Sequence, residues 1–122
     1  PTGPGDVTFP PLPSAAPNAP VARCHFLSGP NAGQSLPLED GATVTMGRDP
    51  TQCHVVFPPQ TPTVSKVHAM IRARGYRVEI CDAGSSAGTR VDGVTIAQGA
   101  WVAISPQQVV TLGTSDITFY CG

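Results

Sequence analysis

Val64-Ser-Lys-Val-His-Ala-Met-Ile71 is the stretch whose reading decides what kind of fold this chain adopts. From Ala69 to Ala73 the residues alternate as they do in a strand with one buried face. Ser65, Lys66 and His68 stand just ahead, at the mouth of that strand. Two other stretches are built alike. Gly47-Arg-Asp-Pro50 follows the alternating run from Ala42 to Gly47, in which Val44 and Met46 share a face. Asp82-Ala-Gly-Ser-Ser-Ala-Gly-Thr-Arg-Val-Asp-Gly93 follows a run in which Tyr76, Val78 and Ile80 lie opposite Arg77 and Glu79. Together the three supply a guanidinium, an ammonium and several hydroxyls. A phosphate monoester carries about −1.5 to −2 charge and three acceptor oxygens, and a guanidinium fork matches it bidentately.

Outward from these stretches the chain reads as strands and turns. Val21 to Ser28 and Gln34 to Leu38 are two strands around the breaker-rich turn Gly29-Pro-Asn-Ala-Gly33. Val55-Val-Phe57 is a short apolar run, and Pro58 to Val64, with three prolines, is a loop. Trp101 to Ile104, Val109 to Leu112 and Ile117 to Cys121 complete the series. No window has a helical period. Short strands with turn signals every ten residues or so point to an all-β chain, an antiparallel β-sandwich. In such a fold the strands make the core and the loops at one end carry function.

Composition narrows the function. The chain has 122 residues, 12% of them charged, and a net charge of −1. That balance offers no basic field for a nucleic-acid backbone. No apolar run approaches the ~20 residues of a membrane span. Residues 1–20 hold seven prolines among Gly, Ser, Ala and Asn, a composition that cannot bury a core and behaves as a flexible linker. Residues 21–122 form the domain. Thr2 and Thr8 read as linker polar residues rather than as phosphorylation sites. The chain opens on Pro1 and stops just after a strand-like run, and reads as a piece of a longer protein. Cys24, Cys53, Cys81 and Cys121 include no close pair in the sequence. Zinc frameworks offer ligands a few residues apart, so the four read as buried thiols in a reducing compartment. Arg48, Lys66 and Arg90 lie on the loops, whereas Arg23, Arg72, Arg74 and Arg77 sit in or beside strands and face solvent.

Gly47-Arg48, then Ser65-Lys-Val-His68, then Asp82-Ala-Gly-Ser-Ser-Ala-Gly-Thr-Arg-Val-Asp-Gly93 resembles the pattern of forkhead-associated (FHA) domains. That pattern is Gly-Arg, Ser-x-x-His about twenty residues on, and Asp-x-Gly-Ser-x-Asn-Gly-Thr-x-Val-Asn-Gly. The resemblance covers roughly Val21 to Cys121. It implies a SMAD/FHA-like sandwich of about eleven strands that binds phosphothreonine peptides and has no catalytic activity and no cofactor or metal. Arg48 and Ser65 are implied to contact the phosphate, Lys66 to add a donor, and Ser86 to help with phosphate or peptide. His68 is implied to brace the loops, and Gly47, Gly88 and Thr89 to shape them. Ala87 departs from the pattern: an Asn there bonds the peptide backbone, worth about 0.5–1.5 kcal/mol. Gln107-Gln108 replaces the usual Gly-Asp and reads as a loop variation without functional cost. Arg90 and the Pro58 to Val64 loop are expected to choose flanking residues, Arg90 favouring an acidic one.

The expected protein is therefore a cytoplasmic, bacterial, monomeric signalling module. Its partner is a phosphothreonine protein or peptide, a substrate of a Ser/Thr kinase, in trans or in cis. It contacts neither nucleic acid nor membrane. Two rivals remain. An FHA-like scaffold could bind partners without phosphate, as Ala87 favours. A Ser hydrolase is suggested by Gly84-Ser-Ser86-Ala-Gly88, a Gly-x-Ser-x-Gly match. However, His25, His54 and His68 all precede Ser86, contrary to the order that elbow requires, which leaves Ser65, His68 and Asp82 as a triad of another order.

Overall fold

Alternation of apolar and polar side chains produces a sandwich because each strand has one face to bury. The computed structural model describes residues 20–75, 77–114 and 117–121. The Pro-rich stretch before Pro20, with Thr2 and Thr8, and the place of Tyr76 lie outside them. The strands are β1 (Ala22–Ser28), β2 (Ser35–Leu38), β3 (Thr43–Gly47), β4 (Val55–Val56), β5 (Ala69–Arg74) and β6 (Arg77–Asp82). They continue with β7 (Thr89–Val91), β8 (Val94–Thr95), β9 (Trp101–Ile104), β10 (Val109–Leu112) and β11 (Ile117–Cys121).

A six-stranded sheet, in the order β2-β1-β11-β10-β7-β8, packs on a five-stranded one, β4-β3-β5-β6-β9. Val44 and Met46, Ile71 and Ala73, and Val78 and Ile80 are buried from one sheet, and Phe26, Val110, Leu112, Ile117 and Phe119 from the other. Phe26 meets Phe119 at 5.3 Å and Phe57 edge-on at 6.3 Å between ring centroids, an arrangement that adds to simple area burial.

The strand ends that carry the three motifs coincide. Met46, Ala69 and Asp82 are in register across β3, β5 and β6. Thr89, Leu112 and Ile117 are in register across β7, β10 and β11. Gly113 N–H donates to Gly88 O (3.0 Å), extending the β10–β7 pairing, and Thr114 N–H donating to Thr63 Oγ1 (3.1 Å) ties the two sheets at this end. A side chain on Gly113 would overlap Thr63, and its φ is +73°, so this inter-sheet tie requires glycine.

Three details differ from the expectation. β4 runs parallel to β3. The chain loops back past this edge, and His54 caps it: His54 N–H donates to Thr45 O, and Thr45 N–H to His54 Nδ1 (3.0 Å). Next, β7 and β8 lie inside or beside the glycine-rich motif, and at two or three residues they are too short to show a period. Finally, Arg72 does not simply face solvent. Its Nε pairs with Glu79 at 2.8 Å, and its guanidinium sits 3.9 Å from the Trp101 ring centroid, a cation–π contact.

Candidate functional site

Arg48 leaves β3 through Gly47, where the chain passes tightly under the neighbouring loop. A Cβ at Gly47 would overlap the Lys66 carbonyl and lie 2.9 Å from Cys53 Sγ, so only glycine admits this approach. Beyond the sheet, Arg48 N–H donates to Ser65 O (3.2 Å) and Asp49 N–H to Lys66 O (3.0 Å). These bonds join loop 48–54 to loop 57–68. Arg48 Nε donates to Val64 O, and its other guanidinium nitrogens have no partner among the described residues. Arg48, Asp49, Pro50, Phe57, Pro59 and Lys66 line a cleft of about 300 Å³. Its floor is Phe57, anchored in the core at 1% exposure.

Below the rim the polar groups are bonded to one another. Asp82 Oδ1 accepts from Gly84 N–H and Ser85 N–H, both 2.8 Å, and Oδ2 from Ser85 Oγ (2.6 Å) and Thr89 Oγ1 (2.7 Å). Burial alone would raise the Asp82 carboxyl, but the bonds from Ser85, Thr89 and Gly84 outweigh it and hold the group below its ordinary value. Ser85 Oγ also accepts from Gly88 N–H (3.0 Å), and Gln98 Nε2 donates to Ser85 O (3.1 Å). His68 is fully buried between the loops. Ser65 N–H donates to its Nδ1 (3.0 Å), and its Nε2 lies 2.9 Å from Gly88 O. A carbonyl only accepts, so Nε2 carries the proton, and an N–H pointing at Nδ1 leaves that atom bare. The ring is therefore the neutral Nε2–H tautomer. Burial pushes its pKa down, against the opposing pull of the Gly88 bond and the Asp82 charge. Finally, Ser86 N–H donates to Ser65 Oγ (3.0 Å), which joins loop 83–88 to loop 57–68 and leaves the Ser65 hydroxyl proton free to donate.

Residues 25–121 match the family model described as the inner membrane component of the type III secretion system, cytoplasmic domain. The chain belongs to that family. Its fold is the FHA fold. An FHA domain from Chlamydia trachomatis is 30% identical, covering 82% of this chain and 94% of that one, with a TM-score of 0.71. The cytoplasmic domain of the sorting-platform protein PscD from P. aeruginosa is 22% identical, with coverage of 83% and 78% and a TM-score of 0.67. An FHA domain solved in complex with a phosphothreonine peptide is 18% identical, with coverage of 84% and 95% and a TM-score of 0.68. No curated protein matches the chain.

In this FHA domain Arg48, Ser65, Lys66 and Ser86 occupy adjoining loops around one end of the sandwich. Gly47, His68, Gly88 and Thr89 lie beneath or between them, Thr89 bonded to Asp82 and Gly88 to His68. Ala87, half-buried, follows Ser86 and contributes only a methyl group. Arg90 is apart. On β7 its neighbours Thr89 and Val91 point into the core, so Arg90 stands on the outer face of the six-stranded sheet and does not line the cleft.

The hydrolase geometry is not formed by these residues. His68 meets the backbone N–H of Ser65, not its hydroxyl, and Asp82 holds Ser85 and Thr89 rather than His68. Gly84 to Gly88 joins two strands, β6 and β7, with no helix following. Sequence reasoning missed Asp49 and Phe57 as cleft residues, and Gln98 and Ser85 as braces. Asp49 stood inside a quoted motif. Phe57 read only as strand core, and nothing in the sequence marked Gln98.

Proposed function

We propose that this FHA domain docks onto phosphothreonine in a partner protein. The observation that carries the reading is the cleft itself. Loops 48–54 and 57–68 line it, with Arg48 and Lys66 on its wall, and loop 83–88 is tied to the second of these loops where Ser86 N–H donates to the Ser65 hydroxyl oxygen. An Arg, a Lys and hydroxyls offer a dianion charge-assisted bonds of about 1.5–3 kcal/mol each. Three such bonds, less ordering costs, correspond to low-micromolar affinity, about −8 kcal/mol. The role assigned to the domain is binding rather than catalysis. Its setting is the cytoplasmic side of a membrane-anchored secretion component, which the family description supports. Its partner is a Ser/Thr kinase substrate.

A second reading, docking without phosphate, is favoured by two observations. Asp49 lines the same cleft, and its carboxylate is held below its ordinary pKa by bonds from Thr51 and Gln52. Ala87 removes an amide that would grip the peptide backbone. Titration of one partner peptide in phosphothreonine, phosphoserine and unmodified forms separates the readings. The first expects binding in the order phosphothreonine, phosphoserine, unmodified. Equal affinity for all three would establish the second.

A further inference from the structure

Cys24 and Cys121 are 97 positions apart in the chain, yet their sulfurs are 2.8 Å apart. They stand directly opposite each other on β1 and β11, and both side chains lie in the core, at 0% and 3% exposure. The register brings two core thiols together in a geometry suited to a bond. β1 lies between β2 and β11, so its backbone groups point alternately to one and then the other. Phe26 N–H donates to Gln34 O on the β2 side; two residues back, Cys24 directs its own N–H and C=O the same way. Towards β11, therefore, Cys24 and Cys121 are a non-hydrogen-bonded pair. In such pairs the Cα atoms are about 4.5 Å apart and the side chains approach most closely. That separation is within the roughly 4.4–6.8 Å that a disulfide spans. The other two cysteines have different neighbours. Cys53 Sγ donates to Lys66 O (3.1 Å), and Cys81 faces Met70 and Trp101 across the other sheet.

We propose that Cys24 and Cys121 form a redox-sensitive dithiol that closes to a disulfide at the expense of an external disulfide, such as oxidised glutathione, stapling the first strand of the domain to the last. One cysteine thiolate attacks the glutathione disulfide, forming a mixed disulfide and releasing one glutathione thiolate. The other cysteine thiolate then attacks the protein sulfur of that mixed disulfide and displaces the second glutathione. Two protein thiols are oxidised, one external disulfide is reduced to two thiols, and the two cysteine protons pass to the released thiolates. Burial, and then the neighbouring Cys121, push the Cys24 thiol up, so exchange is slow in the folded protein and fast while the strands are apart. A reducing compartment keeps the pair open. The staple would close a loop of nearly the whole domain, the case in which restraint of the unfolded chain is greatest.

The test is to refold the full chain from urea in glutathione buffers of rising oxidised fraction. Remaining thiols are alkylated and counted by mass spectrometry, and thermal midpoints are recorded. Two thiols should disappear together, a Cys24–Cys121 peptide should be recovered, and the midpoint should rise by at least about 5 °C. The double variant Cys53→Ala, Cys81→Ala keeps both partners and should behave in the same way; Cys24→Ala should abolish the change. Four thiols surviving the most oxidising buffer would overturn the proposal. So would glutathione adducts or pairings through Cys53 or Cys81, or a disulfide that leaves the midpoint unmoved. Phosphopeptide affinity plays no part in the readout, so this proposal and the phosphate-binding one stand or fall separately.

Discussion

Arg48 follows β3 and Asp82 ends β6, two strands separated only by β5. Both are charged residues at the same end of one sheet, yet their surroundings are opposite. Asp82 is fully buried and accepts four hydrogen bonds from its own loop. Arg48 is half-exposed, gives one bond from Nε to the backbone, and has no other side-chain partner among the described residues. Polar groups of this domain thus divide into a saturated hub that sets loop geometry and a rim with donors in reserve. A ligand can use only the second kind, because a saturated group gains nothing from a new partner.

The comparison breaks most easily at the hub. Asp82→Ala leaves the buried donors of Ser85 and Thr89 without an acceptor and frees the Gly84 N–H, and about 3 kcal/mol of stability should go. A melting curve unchanged from the wild type would show that the hub does not hold the loops. Arg48→Ala should act the other way round. Phosphopeptide affinity should fall by about a hundredfold, from the loss of a charge-assisted bidentate contact, while stability changes by less than about 1 kcal/mol. Normal binding by a folded Arg48→Ala protein would place the site elsewhere.

His68 belongs to both regions and should tie them together in a pH-dependent way. Its folded pKa is depressed, so the unfolded chain takes up the proton first. The stability from neutral His68 is complete above the unfolded value of about 6.5 and is lost as pH falls below it. Asp82 is also depressed. Its contribution is complete above the unfolded value of about 3.9 and is lost as pH falls through the folded one. The thermal midpoint should therefore decline in two stages on acidification. His68→Ala should be less stable and bind more weakly, because Ser65 N–H loses its acceptor and Gly88 O one of its two donors. Its melting temperature should lack the first stage; an identical pH profile would remove His68 from the bracing role.

Two smaller effects sharpen the contrast. Ala87→Asn should raise phosphopeptide affinity by up to about tenfold, by restoring one hydrogen bond at the rim. No gain in titration would mean that the peptide runs elsewhere. Gln107 adopts φ +74°, a left-handed conformation that costs a side-chain-bearing residue roughly 1 kcal/mol. The replacement of the customary glycine, read as a loop variation without functional cost, thus carries a small backbone expense. Gln107→Gly should raise the thermal midpoint by a few degrees without touching affinity.

Alternation along the chain was enough to place most strands, because a half-buried strand must repeat every two residues. Trp101 to Ile104, Val109 to Leu112 and Ile117 to Cys121 coincide with β9, β10 and β11. It was not enough for β7 and β8, too short to repeat, or for the parallel β4, whose direction depends on the loop before it. The residue types of the rim were legible as an ordered set of cations, hydroxyls and glycines. Which of them face a common cleft was not, because Arg48 and Arg90 look alike in sequence. Only the register of β7 puts Arg90 on an outer face.

Local pattern determined the class of fold and the chemistry available at its loops, since both depend on residues near one another in the chain. Tertiary structure alone decided that Asp82 is a saturated hub, that Phe57 floors the cleft, and that Cys24 meets Cys121. Each of these joins strands or loops distant in sequence, and such meetings are set by how two sheets pack, which no local window records.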